Sequence, residues 1–203
     1  AIKKANTLKK VLMSTREISD VLMFSMGAYT PLDGFMNQSD WNKTCTDMKL
    51  QNDLFWPIPV TLSVDTDFSN SINLADEIAL CNAETGEIYA IMKVTDKYSP
   101  DKQFETKNVF ATNDQNHPGV KKVFLQPSIN LGGPVTVINE GSFPGLYEGL
   151  YLRPKDARSK FDSLGWAEVS AFQTRNPMHR SHEHLVKIAA EVTDGVFIHQ
   201  VLG

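Results

Sequence analysis

The residues of this chain whose types and spacing could do chemistry crowd into one stretch, AFQTRNPMHRSHEHL at 171–185. It begins with strand-forming residues and ends with helix formers, so QTRNPM falls in the turn between them. In a parallel α/β unit such a turn lies at the carboxyl end of the strand, where ligands bind. Pro177 suits the start of the helix, and Asn176 is able to cap it. The opening amides and the positive end of the helix dipole then favour an anion. Arg175 adds a planar fork matched to the oxygens of sulfate or phosphate, and Gln173 and Thr174 add neutral hydrogen-bonding groups.

His179 and His182 stand three residues apart and so share a helix face. Imidazole N–H groups placed there can donate to phosphate oxygens as negative charge builds in a transition state. His184 projects to another side, and Leu185, Ile188, Ala189 and Val192 form the expected packing stripe. Arg180 reads as a solvated side chain or one at a phosphate edge. Two histidines on one face can also begin a metal site. Here HRSHEH lacks the HExxH spacing and no cysteine lies near, so no protein-bound metal is expected.

The 203 residues are 41% apolar and 22% charged, enough for a buried core and ordinary for a globular chain. A net charge of −4 argues against a surface built for nucleic acid. Cys45 and Cys81 lie far apart without CxxC spacing, which excludes a zinc ribbon or a disulfide-dense secreted scaffold and points to a reducing cytoplasm. The apolar runs are too short to span a bilayer, and the basic start carries no continuous apolar signal segment. Neither a membrane nor a nucleic acid is therefore expected as a partner.

The elements that must position the site can be read coarsely. AIKKANTLKKVLMSTREISDVLMF reads as one amphipathic helix, with Leu8, Val11, Leu12, Ile18, Val21 and Leu22 apolar. MGAYTPLDGFM (26–36) has turn chemistry. Strands are expected in WPIPVTLSV (56–64), DEIALCN (76–82) and EIYAIMKVTDKY (87–98), with ETGE as a tight turn between the last two. NDQNHPGVKKVF (113–124) reads as a polar loop running into a strand, and LGGPVTVIN (131–139) as a turn followed by another. Residues 1–140 thus suggest a barrel-like, mostly β domain.

Past residue 140 the pattern changes. EGSFPGLYEGLYLRP reads as a linker, and RPKDARSKFDSLGW as a helix with Pro154 near its start and Gly165 just past its end. AEVSAF (167–172), HRSHEHLVKIAAEVT (179–193) and GVFIHQVLG (195–203) then form strand, helix and strand, the opening β-α-β unit of a parallel sheet. Two such strands do not complete a doubly wound sheet, so residues 141–203 are expected to be a truncated catalytic domain and the chain a fragment. The class overall is α/β.

QTRNPMHRSHEHL closely resembles the sulfate- and ATP-binding segment of ATP sulfurylases, the sulfate adenylyltransferases, and HRSH resembles the HxxH element of the wider nucleotidyltransferase superfamily. GAYTPLDGFM, FWPIPVTL, NHPGV and GGPVTVIN are similar to further signatures of the family, in its order. The resemblance implies a PUA-like β domain followed by a Rossmann-like catalytic domain. It also implies a reaction, in which ATP and sulfate give adenosine 5′-phosphosulfate and pyrophosphate, with magnesium carried as Mg-ATP. By motif, Gln173 and Arg175 would hold sulfate, and Gln173, Arg175, Asn176, His179 and His182 would contact ATP. Thr174, Arg175, Asn176, His179 and His182 would be the catalytic set, in a full-length protein that is a homo-oligomer. The family's second motif, of the type GRDHAG, would follow Gly203, so the chain alone is expected to be inactive. No GxxxxGK[ST] loop is present. The alternatives are another HxxH-type adenylyltransferase and a PUA-like module that binds RNA or a protein partner.

Overall fold

A computed structural model describes residues 1–200. Two compact units are seen, Ala1–Glu148 and Gly149–Gly203. The first begins with α1 (Ile2–Ala5), β1 (Lys9–Met13), α2 (Thr15–Ser25), β2 (Gly34–Phe35) and α3 (Gln38–Asp47). There follow β3 (Leu62–Val64), α4 (Thr66–Ser71), β4 (Glu77–Asn82), β5 (Ile88–Lys93) and β6 (Asp96–Tyr98). It closes with α5 (Lys102–Val109), α6 (Pro118–Leu125), β7 (Ile129–Val137) and α7 (Phe143–Leu146). The second unit holds α8 (Pro154–Ser163), β8 (Val169–Thr174), α9 (Arg180–Val192) and β9 (Gly195–Gln200). The expected strand 195–203 is seen through Gln200, and its last three residues lie outside the described ones.

In the first unit the strands run β1-β4-β5-β7-β2, with β3 and β6 also paired to β7. β7 is the hub. Its first half pairs with β3 and β6, and its second half with β2 and β5. The sheet curls where these halves meet, at Gly132–Gly133. A Cβ on Gly133, which has φ +149°, would stand 2.0 Å from the Lys93 carbonyl oxygen. One on Gly34 of β2 would stand 2.1 Å from the oxygen of Gly133. Strands can cross this closely only where side chains are missing. GGP was expected to be a turn before the strand, whereas it lies inside the strand, because the glycines serve the crossing.

Three further expectations are corrected. The single N-terminal helix is a helix, a strand and a helix. Val11 and Met13 are buried while Leu12 is 64% exposed, a period of two, because β1 pairs in parallel with β4. The second helix starts where the Glu17 carboxylate accepts from the Ser14 amide at 2.7 Å. Residues 113–124 run into helix α6 instead of a strand. Pro118 opens it, the His117 Nδ1 accepts from the Gly119 amide at 3.2 Å, and Val120 and Val123 are buried one turn apart. Of WPIPVTLSV only Leu62–Val64 is strand, since Pro57 and Pro59 cannot donate to a ladder.

The core gathers Met13, Val21, Met36, Leu62, Ile78, Leu80, Met92 and Leu131, none more than 1% exposed. Cys45 lies among them, and burial pushes its thiol up to about 12, with Glu105 adding to the shift, so it stays a packed thiol. The Glu105 carboxylate is buried too and accepts from the Trp41 indole N–H at 2.7 Å. Burial raises the Glu105 pKa, and the Trp41 hydrogen bond and the charges of Arg16 and Lys102 only partly oppose this.

Two outcomes are expected. Gly133→Ala should cost about 3 kcal/mol or prevent folding, read by denaturant titration. A carboxyl whose folded pKa is raised favours the fold at low pH and disfavours it as pH rises through that pKa. Glu105→Gln, which keeps the acceptor for Trp41, should therefore raise the melting temperature at neutral pH, and the gain should shrink as pH falls through the carboxylate range. A constant gain at every pH would contradict this.

Candidate active site

β8 and β9 pair in parallel in unbroken register, from Val169 opposite Gly195 to Thr174 opposite Gln200, with α9 as the crossover. Both strands therefore end at the same edge as the start of α9. At the other edge Asp194 takes the Glu168 and Ala167 amides at 2.9 and 2.8 Å, and these bonds lower its carboxyl pKa. Within the second unit Gln173 and Thr174 are the last two strand residues, so they lie at the strand end and not in the turn.

Thr174 is buried, and its hydroxyl shapes the turn that follows. Its Oγ1 accepts from the Asn176 amide and donates to the Asn176 carbonyl, each at 3.1 Å. Asn176 is thus engaged through its backbone and does not cap the helix. That position falls to His179, whose extended backbone (φ −124°, ψ 176°) turns the chain into α9. His179 and His182 form a capping box at this helix start, with the His182 Nδ1 accepting from the His179 amide at 3.5 Å. The next two amides, of Arg180 and Ser181, have no acceptor among the described residues.

His179 and His182 come together as their spacing suggested. Their rings stack with centroids 3.8 Å apart and planes 29° apart. Ser181 Oγ lies 3.1 Å from the His179 Nδ1, and the His182 ring meets Phe172 of β8 at 5.6 Å. The pair is therefore held between a hydroxyl and an aromatic ring. Gln173, Arg175 and Arg180 are exposed, and among the described residues no carboxylate pairs with either arginine. Donors with no internal acceptor, two cations and a helix start meet at one edge. An oxyanion carrying several charges suits that arrangement.

The face of α9 that packs is not the expected one. His182, Val186 and Ala189 are half-buried, while Leu185, Ile188 and Val192 are exposed, Val192 by 69%. The apolar stripe is wider than the two strands β8 and β9 can cover, and periodicity alone does not say which part they reach. His184 is exposed, away from the stacked pair. His199 had been read only as part of a strand, yet the register places it opposite Gln173. Counting strand parity outward from Gln173 would have found it.

Fold and site together define a class: a curled β domain followed by a parallel α/β unit whose strand end and helix start gather Gln173, two arginines and the stacked histidines. Residues 1–140 match the PUA-like domain family, and residues 148–203 match the ATP-sulfurylase family. A sulfate adenylyltransferase of Thiobacillus denitrificans is 52% identical over 98% of this chain and 49% of its own length. One from Ruthia magnifica is 50% identical over 100% of this chain and 50% of its own. The chain spans about half the length of the curated relatives it matches. Its fold is shared with a solved structure described as a hexameric APS kinase from Thiobacillus denitrificans, at a TM-score of 0.70 and 24% identity, over 98% of this chain and 35% of that one. The chain belongs to the ATP-sulfurylase family, with a PUA-like domain at its N-terminus.

Thr174→Val keeps the buried shape and removes the hydroxyl. It should cost the turn about 1 kcal/mol and speed hydrogen exchange at the Asn176 amide roughly fivefold. Unchanged exchange would contradict the role given to the hydroxyl.

Proposed function

We propose that the protein containing this chain is a sulfate adenylyltransferase, which converts ATP and sulfate to adenosine 5′-phosphosulfate and pyrophosphate or runs the reverse reaction. The observation that carries this reading is the strand end and helix start of the second unit, where Gln173, Arg175 and the stacked His179 and His182 lie about the first turn of α9. Sulfate is a weak nucleophile that stays ionised, so it needs no general base. It must instead be held in line with the α-phosphorus while like charges are neutralised.

In this reading Gln173 and Arg175 hold sulfate, with the Arg175 guanidinium also reaching ATP. A sulfate oxygen bonds to the α-phosphorus as the bond to the bridging oxygen of pyrophosphate breaks, and pyrophosphate leaves with the electron pair. His179 and His182 donate to the phosphate oxygens on which charge builds. Thr174 and Asn176 set the turn that carries Arg175. Magnesium arrives with ATP as part of the substrate, since the donors gathered here suit anions and not a cation.

The wider reading has its own supports. The domain division at 140/141 is favoured by the PUA-like match that ends at residue 140. A homo-oligomer is favoured by the hexameric neighbour of the same fold. A cytoplasmic setting fits the buried free thiols of Cys45 and Cys81.

The test is pyrophosphate release by the whole protein. It should require both ATP and sulfate, with molybdate able to replace sulfate. Arg175→Ala should lower the rate at least about a hundredfold with the circular dichroism spectrum unchanged. A folded Arg175→Ala protein with full activity would sink the site, and release without any oxyanion would sink the reaction.

A further inference from the structure

The end of the short parallel sheet has two faces, and the register sorts its residues between them. Phe172 lies opposite Ile198 and Thr174 opposite Gln200, and Phe172 meets His182 of α9. Alternation puts Gln173 and its partner His199 on the other face, side by side on strands about 4.8 Å apart. That face carries a run of aromatic rings. Trp166 stacks on Phe161 of α8 at 5.9 Å and 21°, and Phe161 meets Phe197 edge-on at 5.6 Å. The His199 ring stacks on Phe197 at 5.8 Å, with planes only 9° apart.

The column thus ends in an imidazole at the carboxyl edge of the sheet. His199 is exposed, and among the described residues neither ring nitrogen makes a hydrogen bond or ion pair within the chain. A histidine needed only to cover Phe197 could be any flat side chain. What imidazole adds there is an exposed ring N–H on the strand position directly opposite Gln173.

We propose that His199 is a further binding residue for the oxyanion, donating a ring N–H to it beside the Gln173 carboxamide. This rests on the assignment of Gln173 and Arg175 to sulfate. A tetrahedral anion can accept from the ends of both strands and from Arg175 at once, because each of its oxygens has more than one lone pair. The adenosine moiety gains nothing from this contact, so the effect falls on one substrate only.

The experiment measures the KM for sulfate and for ATP, with kcat, in the whole protein. His199→Phe keeps the aromatic column and removes the donor, while His199→Gln keeps a donor and removes the ring. We expect His199→Phe to raise the sulfate KM about tenfold, with the ATP KM and kcat within twofold, and His199→Gln to recover most of the loss. An unchanged sulfate KM in His199→Phe overturns the proposal. So does an equal rise in both KM values, or equal damage in the two variants, which would mark a packing role. Arg175→Ala run in parallel separates the two failures. If it is inactive while His199→Phe is silent, only the His199 assignment falls. If it retains full activity, the site itself is misplaced.

Discussion

The chemistry of this chain depends on one constraint, the parallel pairing of β8 with β9 around α9. The helical crossover returns the chain in the same direction, so two strand ends and one helix start lie at a single edge. Backbone geometry alone then puts open amides and a positive helix end at that edge. The side chains of Gln173, Arg175, His179 and His182 add to a field the fold has already aimed. Turn that crossover into a hairpin and the end of β9 would move to the opposite edge, taking His199 away from Gln173.

The first unit solves a different problem. Its sheet must curl over its own core, and β7 does this by serving four neighbours along nine residues. The Gly132–Gly133 step lets two strands pass where any side chain would collide. A buried carboxylate, Glu105, sits beside this architecture with one strong donor, Trp41. Such a group costs stability when ionised, and its indole partner recovers only part of the loss.

Legibility in the sequence followed how local each signal was. Helix α8 could be read because Pro154 and Gly165 mark its ends with backbone chemistry that needs no tertiary context. The β-α-β order of the second unit was legible because its pattern changes from strand to helix and back. β1 was not, since KKVLM continues a helix-like spacing and becomes a strand only through pairing with β4, some seventy residues away. Helix α6 was missed because its cap is a histidine, an unusual choice for that position. At the site the residue types were visible, but their placement was not. Thr174 is tied to the Asn176 backbone and His179 caps α9, arrangements set by a few torsion angles.

The two ends of the second unit use their backbone amides differently. At the amino edge of β8 the Asp194 carboxylate accepts from the Glu168 and Ala167 amides, and these bonds lower its pKa. At the carboxyl edge the start of α9 is capped instead by the His179 and His182 pair. The unit thus contains its own reference compound, a resident carboxylate showing what bare peptide N–H groups do for an anion. At the opposite rim, among the described residues, the Arg180 and Ser181 amides have no such resident.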